Sequence, residues 1–307
     1  MPVDVTFLIP AFNAEKTIAG AIESALAQRD VTVEAVVVDD CSSDRTAEVA
    51  RSFPAPDVRV VQLERNRGPG GARNAGIAAA RGRFIAMLDA DDTVYPDRLA
   101  RLLRLAGEKD GQIAVDNLDV VRADGSREAM FAPALVGDLR ELTLDRFIAG
   151  NLLFKWKFSL GYMKPVFERR FLIENRLRYV ETLPIGEDYI FLASALAKGA
   201  RCLVEPRAGY AYHIREGSIS RVLELRHIEA MLRADKDFLR DHPLDAAARA
   251  AQAKRTRSLE EGASFVRLIG HLKERAAAKA LVTALRDPLA LRHLRMPIGA
   301  RMQRIMG

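Results

Sequence analysis

The chain opens on a short apolar run, Val5-Thr6-Phe7-Leu8-Ile9, which Pro10 stops; Ile18, Ala21, Ile22, Ala25 and Leu26 then recur at helical spacing. This pattern predicts a strand leading into a helix, and the unit repeats. Val31 to Val38 is rich in β-branched residues and ends in Asp39-Asp40, after which Ser42-Ser43-Asp44 supplies capping residues for a helix carrying Thr46, Val49 and Ala50. Val58 to Leu63 predicts a third strand, Gly70 to Ala80 a helix small enough in its side chains to lie close on a sheet, and Phe84 to Leu88 a fourth strand. Strands alternating with helices predict an α/β fold with a mostly parallel sheet and right-handed crossovers. The carboxyl ends of the strands then face one way, where open α/β sheets hold their ligands.

The fourth strand runs straight into Asp89-Ala90-Asp91-Asp92. Carboxylates this close repel one another and raise each other's pKa unless a cation neutralises them. Oxygen ligands favour Mg2+ or Mn2+, and such a cation is normally shared with substrate phosphates. The blander expectation is that Asp92 and Thr93 cap a helix begun by Pro96. Parallel strands bring Asn13, Asp39, Asp40, Arg73, Asp89 and Asp91 together above one sheet edge. Asn66 to Asn74 holds three glycines and two arginines, a composition that lets backbone N–H groups and guanidinium groups approach an anion. Neither G-x-G-x-x-G nor G-x-x-x-x-G-K-[ST] fits here, which argues against a dinucleotide oxidoreductase and a P-loop NTPase.

Six motifs stand in an order that resembles family 2 glycosyltransferases of the GT-A fold: Pro10-Ala11-Phe12-Asn13, Val38 to Asp44, Asn66 to Gly76, Leu88 to Asp92, Gly186-Glu187-Asp188 and Arg215 to Ser220. The resemblance covers about residues 4–221, and within the family it is closest to non-processive enzymes of exopolysaccharide assembly, of the succinoglycan type. It implies that Asp39 and Asp40 read the uracil ring and ribose, that Pro10, Phe12 and Asn13 line the base pocket, and that Arg73 lies near the donor. Asp89, Ala90 and Asp91 match the DxD element, which touches ribose and holds the metal, Mg2+ or Mn2+, on the diphosphate. Glu187-Asp188 matches the acidic pair that supplies the catalytic base, most often the second residue. His213 and Arg215 suit a lid that contacts metal and diphosphate. Cys41 stands where Gly or Asn is usual and Phe12 where Tyr is common, which puts nucleotide preference in question. The implied activity is inverting transfer of one sugar, glucose from UDP-glucose, onto a lipid-linked oligosaccharide. The alternative is an inactive nucleotide-sugar-binding scaffold.

Residues 222–307 carry 17 Lys+Arg against 10 Asp+Glu, so the net charge of +6 resides there and not in residues 1–221, which hold 30 against 31. Leu223 to Leu239 and Ala246 to Leu285, with Pro243 between them, predict helices, giving a helical basic region after a domain of residues 1–221. Leu289 to Met306 has four arginines and no acid among Leu, Ile and Met. That is the composition of a segment lying on anionic lipid, with a solvated tail or a homodimer contact as the other uses. Nucleic acid is disfavoured, because no aromatics interleave the basic residues. Trp156 sits in an aromatic stretch that suits core packing more than a sugar platform. Two distant cysteines and the lack of a long apolar segment point to a cytoplasmic protein, and the lipid-linked acceptor that the resemblance implies puts it peripherally on the inner face of the membrane.

Overall fold

The computed structural model describes residues 3–137, 139–155, 157–214 and 223–294. Trp156, Arg215, residues 216–220 and the basic stretch 295–307 lie outside them. As the apolar pattern predicts, β1 (Val5–Ala11), β2 (Val33–Asp39), β3 (Val58–Gln62) and β4 (Phe84–Met87) alternate with α1 (Ile18–Leu26), α2 (Thr46–Arg51) and α3 (Gly68–Ala79). Then come β5 (Thr93–Val94), α4 (Arg98–Lys109), β6 (Ile113–Val121), β7 (Arg127–Ala129), α5 (Pro133–Gly137) and α6 (Leu144–Ala149). β8 (Val166–Glu168), α7 (Arg169–Glu174), α8 (Glu187–Ala197) and β9 (Cys202–His213) follow. Three helices come last, α9 (Leu225–Asp241), α10 (Ala246–Lys273) and α11 (Ala277–Arg286), before a 3-10 turn at Pro288–Leu294.

Two compact units form: Met1–Leu144 with Leu160–Ser218, and Asp145–Ser159 with Ile219–Gly307. In the first, the strand order is β3-β2-β1-β4-β8-β6-β9-β5, with β7 paired on β6. The first four strands are parallel, as expected. Beyond β4 the sheet is mixed, because β8 runs antiparallel to both β4 and β6 while β6 and β9 are parallel. Phe7, Leu8, Ile9, Val36, Val37, Val38 and Ile85 are buried, since strands covered on both faces need continuous apolar runs. The small-residue α3 lies against β1 so closely that a Cβ on Gly76 would run into the Leu8 side chain. Asp92 and Thr93 cap no helix: Thr93–Val94 is a strand antiparallel to β9, and α4 starts only at Arg98. A two-residue strand leaves no periodicity to read.

The second unit is helical. Ile228, Leu259 and Ala263 form its core, with Leu153, Leu225 and Met231 packed on them. Asp235 is buried beside Arg255 at 3.0 Å, and Arg255 also donates to the Asn151 carbonyl at 2.7 Å. Asp245 caps α10, accepting from the Ala248 N–H. The single helix expected over Ala246 to Leu285 is two, broken where Arg275 takes φ 57°. No glycine or proline marks that break in the sequence. Among the described residues, no helix is long and apolar enough to cross a membrane.

Candidate functional site

The carboxyl ends of β2, β1 and β4 lie side by side, the Asp40 N–H donating to the Ala11 carbonyl and the Leu88 N–H to that of Leu8. Past β1, Phe12 is 52% exposed and Asn13 takes φ 50°. The Asn13 N–H donates to Ser42 Oγ, and its side-chain oxygen accepts from the Ser43 N–H, both at 2.9 Å, so the loops after β1 and β2 hold each other. Asp39 is fully buried; one oxygen accepts from the Ser42 N–H at 3.3 Å, and the other, Oδ2, has no hydrogen-bond partner. Such an oxygen is costly unless a ligand completes it. Asp40 accepts from the Arg67 N–H at 2.7 Å, which ties the glycine-rich loop to the end of β2. Burial raises its pKa, against the Arg67 and Gly68 N–H bonds that pull it down.

Arg73, on α3, is buried and central. Its guanidinium donates to Glu187 at 2.8 Å and to Asp89 at 3.2 Å and lies 3.5 Å from Asp188, with its Cζ 5.4 Å from the Tyr179 ring centroid. Lys164 Nζ meets the other Asp89 oxygen at 2.5 Å and stands 3.8 Å from Asp188. Five charged side chains thus interlock. Burial acts to lower the Arg73 and Lys164 pKa values, yet the carboxylates around them hold both well above their ordinary range. Burial likewise pushes Asp89 up, but Lys164 and Arg73 prevail and its pKa is lowered. Glu187 and Asp188 sit in the first turn of α8, where the helix dipole favours anions, after Gly186 at φ 94°.

Glu187 goes the other way. Burial first, then the Asp188 charge, raise its pKa against the pull of Arg73. The folded protein therefore binds this proton more tightly than the unfolded chain, and stability falls as pH rises from the ordinary carboxylate value through the raised one. In Glu187→Gln that share of the slope is expected to vanish, read as urea midpoints at several pH values upward from about 4.5. An unchanged slope would remove Glu187 as its source.

Asp92, rather than Asp91, anchors β9. It is buried, accepts from Tyr210 Oη at 2.8 Å and from the His213 N–H at 2.8 Å, and its pKa is raised, chiefly by burial. Tyr210 Oη in turn accepts from the Asp89 N–H at 3.1 Å. Half-buried Asp91 and well-buried Ala90 lie between. The His213 ring has its Nδ1 buried without a hydrogen-bond partner, 3.8 Å from Asp92 Oδ1. Among the described residues no three carboxylate, imidazole or thiolate groups make a ready metal cage. The unpartnered His213 Nδ1 is a lone-pair donor of this set left open to a ligand from outside the protein.

Arg73, Asp89, Glu187 and Asp188, named from sequence, thus form one cluster; Asp39, Asp40 and Asn13 line the neighbouring strand ends, and His213 joins them through Asp92. Lys164 is the residue that sequence reasoning missed. Its signal was a lone lysine in Gly161-Tyr162-Met163-Lys164-Pro165-Val166-Phe167, since a lysine buried in an apolar run needs a carboxylate.

A family model described as "Glycosyl transferase family 2" matches residues 6–171. The chain is 60% identical over 302 residues to succinoglycan biosynthesis protein ExoO of Rhizobium meliloti (strain 1021), covering 98% of this chain and 87% of that protein. To succinoglycan biosynthesis protein ExoU of the same organism it is 36% identical, over 94% of this chain and 85% of that one. Among solved structures, S. aureus TarS 1-349 in complex with UDP-GlcNAc superposes with a TM-score of 0.68 at 21% identity, covering 93% and 92% of the two chains. Mannosyltransferase PcManGT from Pyrobaculum calidifontis, in complex with GDP-Man and Mn2+, gives 0.60 at 18% identity, covering 97% and 80%. At these identities the structural likeness shows a shared fold.

Proposed function

This chain belongs to glycosyl transferase family 2 and has the GT-A fold, and from that premise we propose that it transfers a single glucose from UDP-glucose, with inversion, to a lipid-linked saccharide in exopolysaccharide biosynthesis. The observation that carries this reading is the cluster in which Arg73 and Lys164 hold Asp89 and Asp188 together, beside the unpartnered Asp39 Oδ2. The names of the R. meliloti relatives support a role in succinoglycan-type assembly.

In this reading Asp39 and Asp40 bind the uridine, Asp39 giving its spare oxygen, while Pro10, Phe12 and Asn13 line the base. Exposed Phe12 offers a ring face for stacking. Arg73 and Ala90 lie by the donor, and Asp89 is set at the ribose by two cations. Arg215 belongs to the same donor site by its place in the motif. Asp91 and His213 would hold Mg2+ or Mn2+, which supplies positive charge to a departing diphosphate. Asp188 takes the proton of the acceptor hydroxyl as its oxygen attacks the anomeric carbon from the face opposite UDP. The bond from that carbon to the diphosphate oxygen breaks, its electron pair leaves with UDP, and an α-linked donor gives a β-linked product. Glu187 fixes Arg73, which helps to fix Asp188. A lipid-linked acceptor places the enzyme at the inner face of the cytoplasmic membrane.

Calorimetric titration with UDP tests the donor site. Micromolar binding that needs Mn2+ and is lost in Asp91→Ala is the expected result. Failure of UDP, GDP and dTDP to bind, with and without Mn2+, would overturn the assignment. Binding of UDP-sugar without UDP release in any acceptor mixture would favour a scaffold instead.

A further inference from the structure

A helix that closes a bundle ordinarily turns its leucines inward and its small or charged residues outward. α11 does the reverse. Its buried residue is Ala280, while Leu281, Val282 and Leu285 are 61%, 48% and 70% exposed. Leu281 and Leu285 are four apart and so share a face. The apolar surface continues in sequence on both sides: Leu272, in the last turn of α10, and Leu289 and Leu291, in the 3-10 turn, are exposed as well. Soluble chains rarely leave neighbouring large apolar residues uncovered without a use.

Charge indicates what covers them. Residues 272–307 contain eight Lys+Arg and two Asp+Glu. Of the two acids, Asp287 is engaged by Arg257 at 2.7 Å. Lys273, Arg275, Lys279 and Arg286 are exposed, and among the described residues none of them is in an ion pair. A second copy of this chain fits poorly, because a two-fold contact would press the same basic residues against themselves. A polyanion bound through phosphates alone would leave the leucines in water.

We propose that the leucine face of α11 is a docking surface for an anionic lipid bilayer. The helix lies in the interface plane, with Leu281, Val282 and Leu285 in the acyl boundary and Lys279 and Arg286 among the headgroups. This inference deepens the membrane-face reading above and rests on that location, not on sugar transfer. Its failure is seen in vesicle binding, whereas failure of the transfer reading is seen in UDP binding.

The test is flotation of the whole chain with vesicles of phosphatidylcholine plus phosphatidylglycerol, and with phosphatidylcholine alone. The chain is expected to float with the anionic vesicles and to stay behind with the neutral ones. Leu281→Ser/Leu285→Ser is expected to lower the anionic-vesicle partition by about tenfold or more. Lys279→Glu/Arg286→Glu is expected to lower it by about an order of magnitude as well. Because all four positions are exposed, circular dichroism and UDP affinity of both variants should match the unaltered chain. Flotation of the leucine variant at the unaltered level would place lipid binding elsewhere and overturn the proposal. So would a concentration-dependent dimer that the leucine variant abolishes while the unaltered chain binds no vesicle.

Discussion

Asp188→Asn is expected to lower kcat for sugar transfer by about 10²–10⁴-fold, the usual contribution of a general base, and to leave UDP affinity unchanged. Asparagine keeps the shape of the side chain but cannot take a proton from the acceptor hydroxyl. The geometry gives this carboxylate its place, because Arg73 at 3.5 Å and Lys164 at 3.8 Å both reach Oδ2. Steady-state UDP release at saturating donor and acceptor is the measurement. A variant that keeps its rate within about tenfold would take the proton-transfer role away from Asp188.

Arg73→Ala carries the largest expected effect on stability. It removes the cation shared by Asp89, Glu187 and Asp188, of which Glu187 is buried and is in no other ion pair among the described residues. Breaking a buried pair from one side costs about 3–5 kcal/mol. For a unit of this size that is on the order of 10 °C in Tm. Arg73→Lys is expected to recover little, since an ammonium cannot span three carboxylates as a planar fork does.

The pH dependence of that cost has a definite sign. Asp89 has a lowered folded pKa, so its stabilisation is present above the ordinary carboxylate value of about 4 and is lost as pH falls through the folded value. Removing Arg73 moves the folded Asp89 and Glu187 values upward. The gap between variant and unaltered chain should therefore be widest near neutrality and shrink toward about pH 3. Urea midpoints at the two ends of that range measure it. A gap that stays constant would show that the loss is one of packing around the Arg73 stem, not of charge.

The parallel half of the sheet was legible because β1, β2 and β4 are buried apolar runs, the latter two ending at Asp39-Asp40 and just before Asp89; Pro10 does not stop β1, which runs on through it to Ala11 beside Val38 and Asp39 of β2. β8 and β5 have three and two residues, too few for a period, and their pairing is decided by contacts with β4, β6 and β9. The break before α11 depends on Arg275 adopting a left-handed backbone that glycine would have advertised. Inclusion of Asp145–Ser159 in the helical unit depends on Leu153 and Asn151 meeting α10, a contact across about a hundred residues. In the site, the motifs identify Arg73, Asp89, Glu187 and Asp188 one at a time. Which oxygen faces which nitrogen is tertiary information, and so is Lys164, whose apolar flanks say that it is buried but not beside what.

The interlocked side chains also have an arithmetic. Arg73 and Lys164 supply two positive charges, and Asp89, Glu187 and Asp188 supply three negative ones when all are ionised. One negative charge is left over beside the buried Arg73 and Lys164. One proton taken up by the set brings it to neutrality, and Glu187, raised by burial and by the Asp188 charge, is the carboxylate placed to carry it.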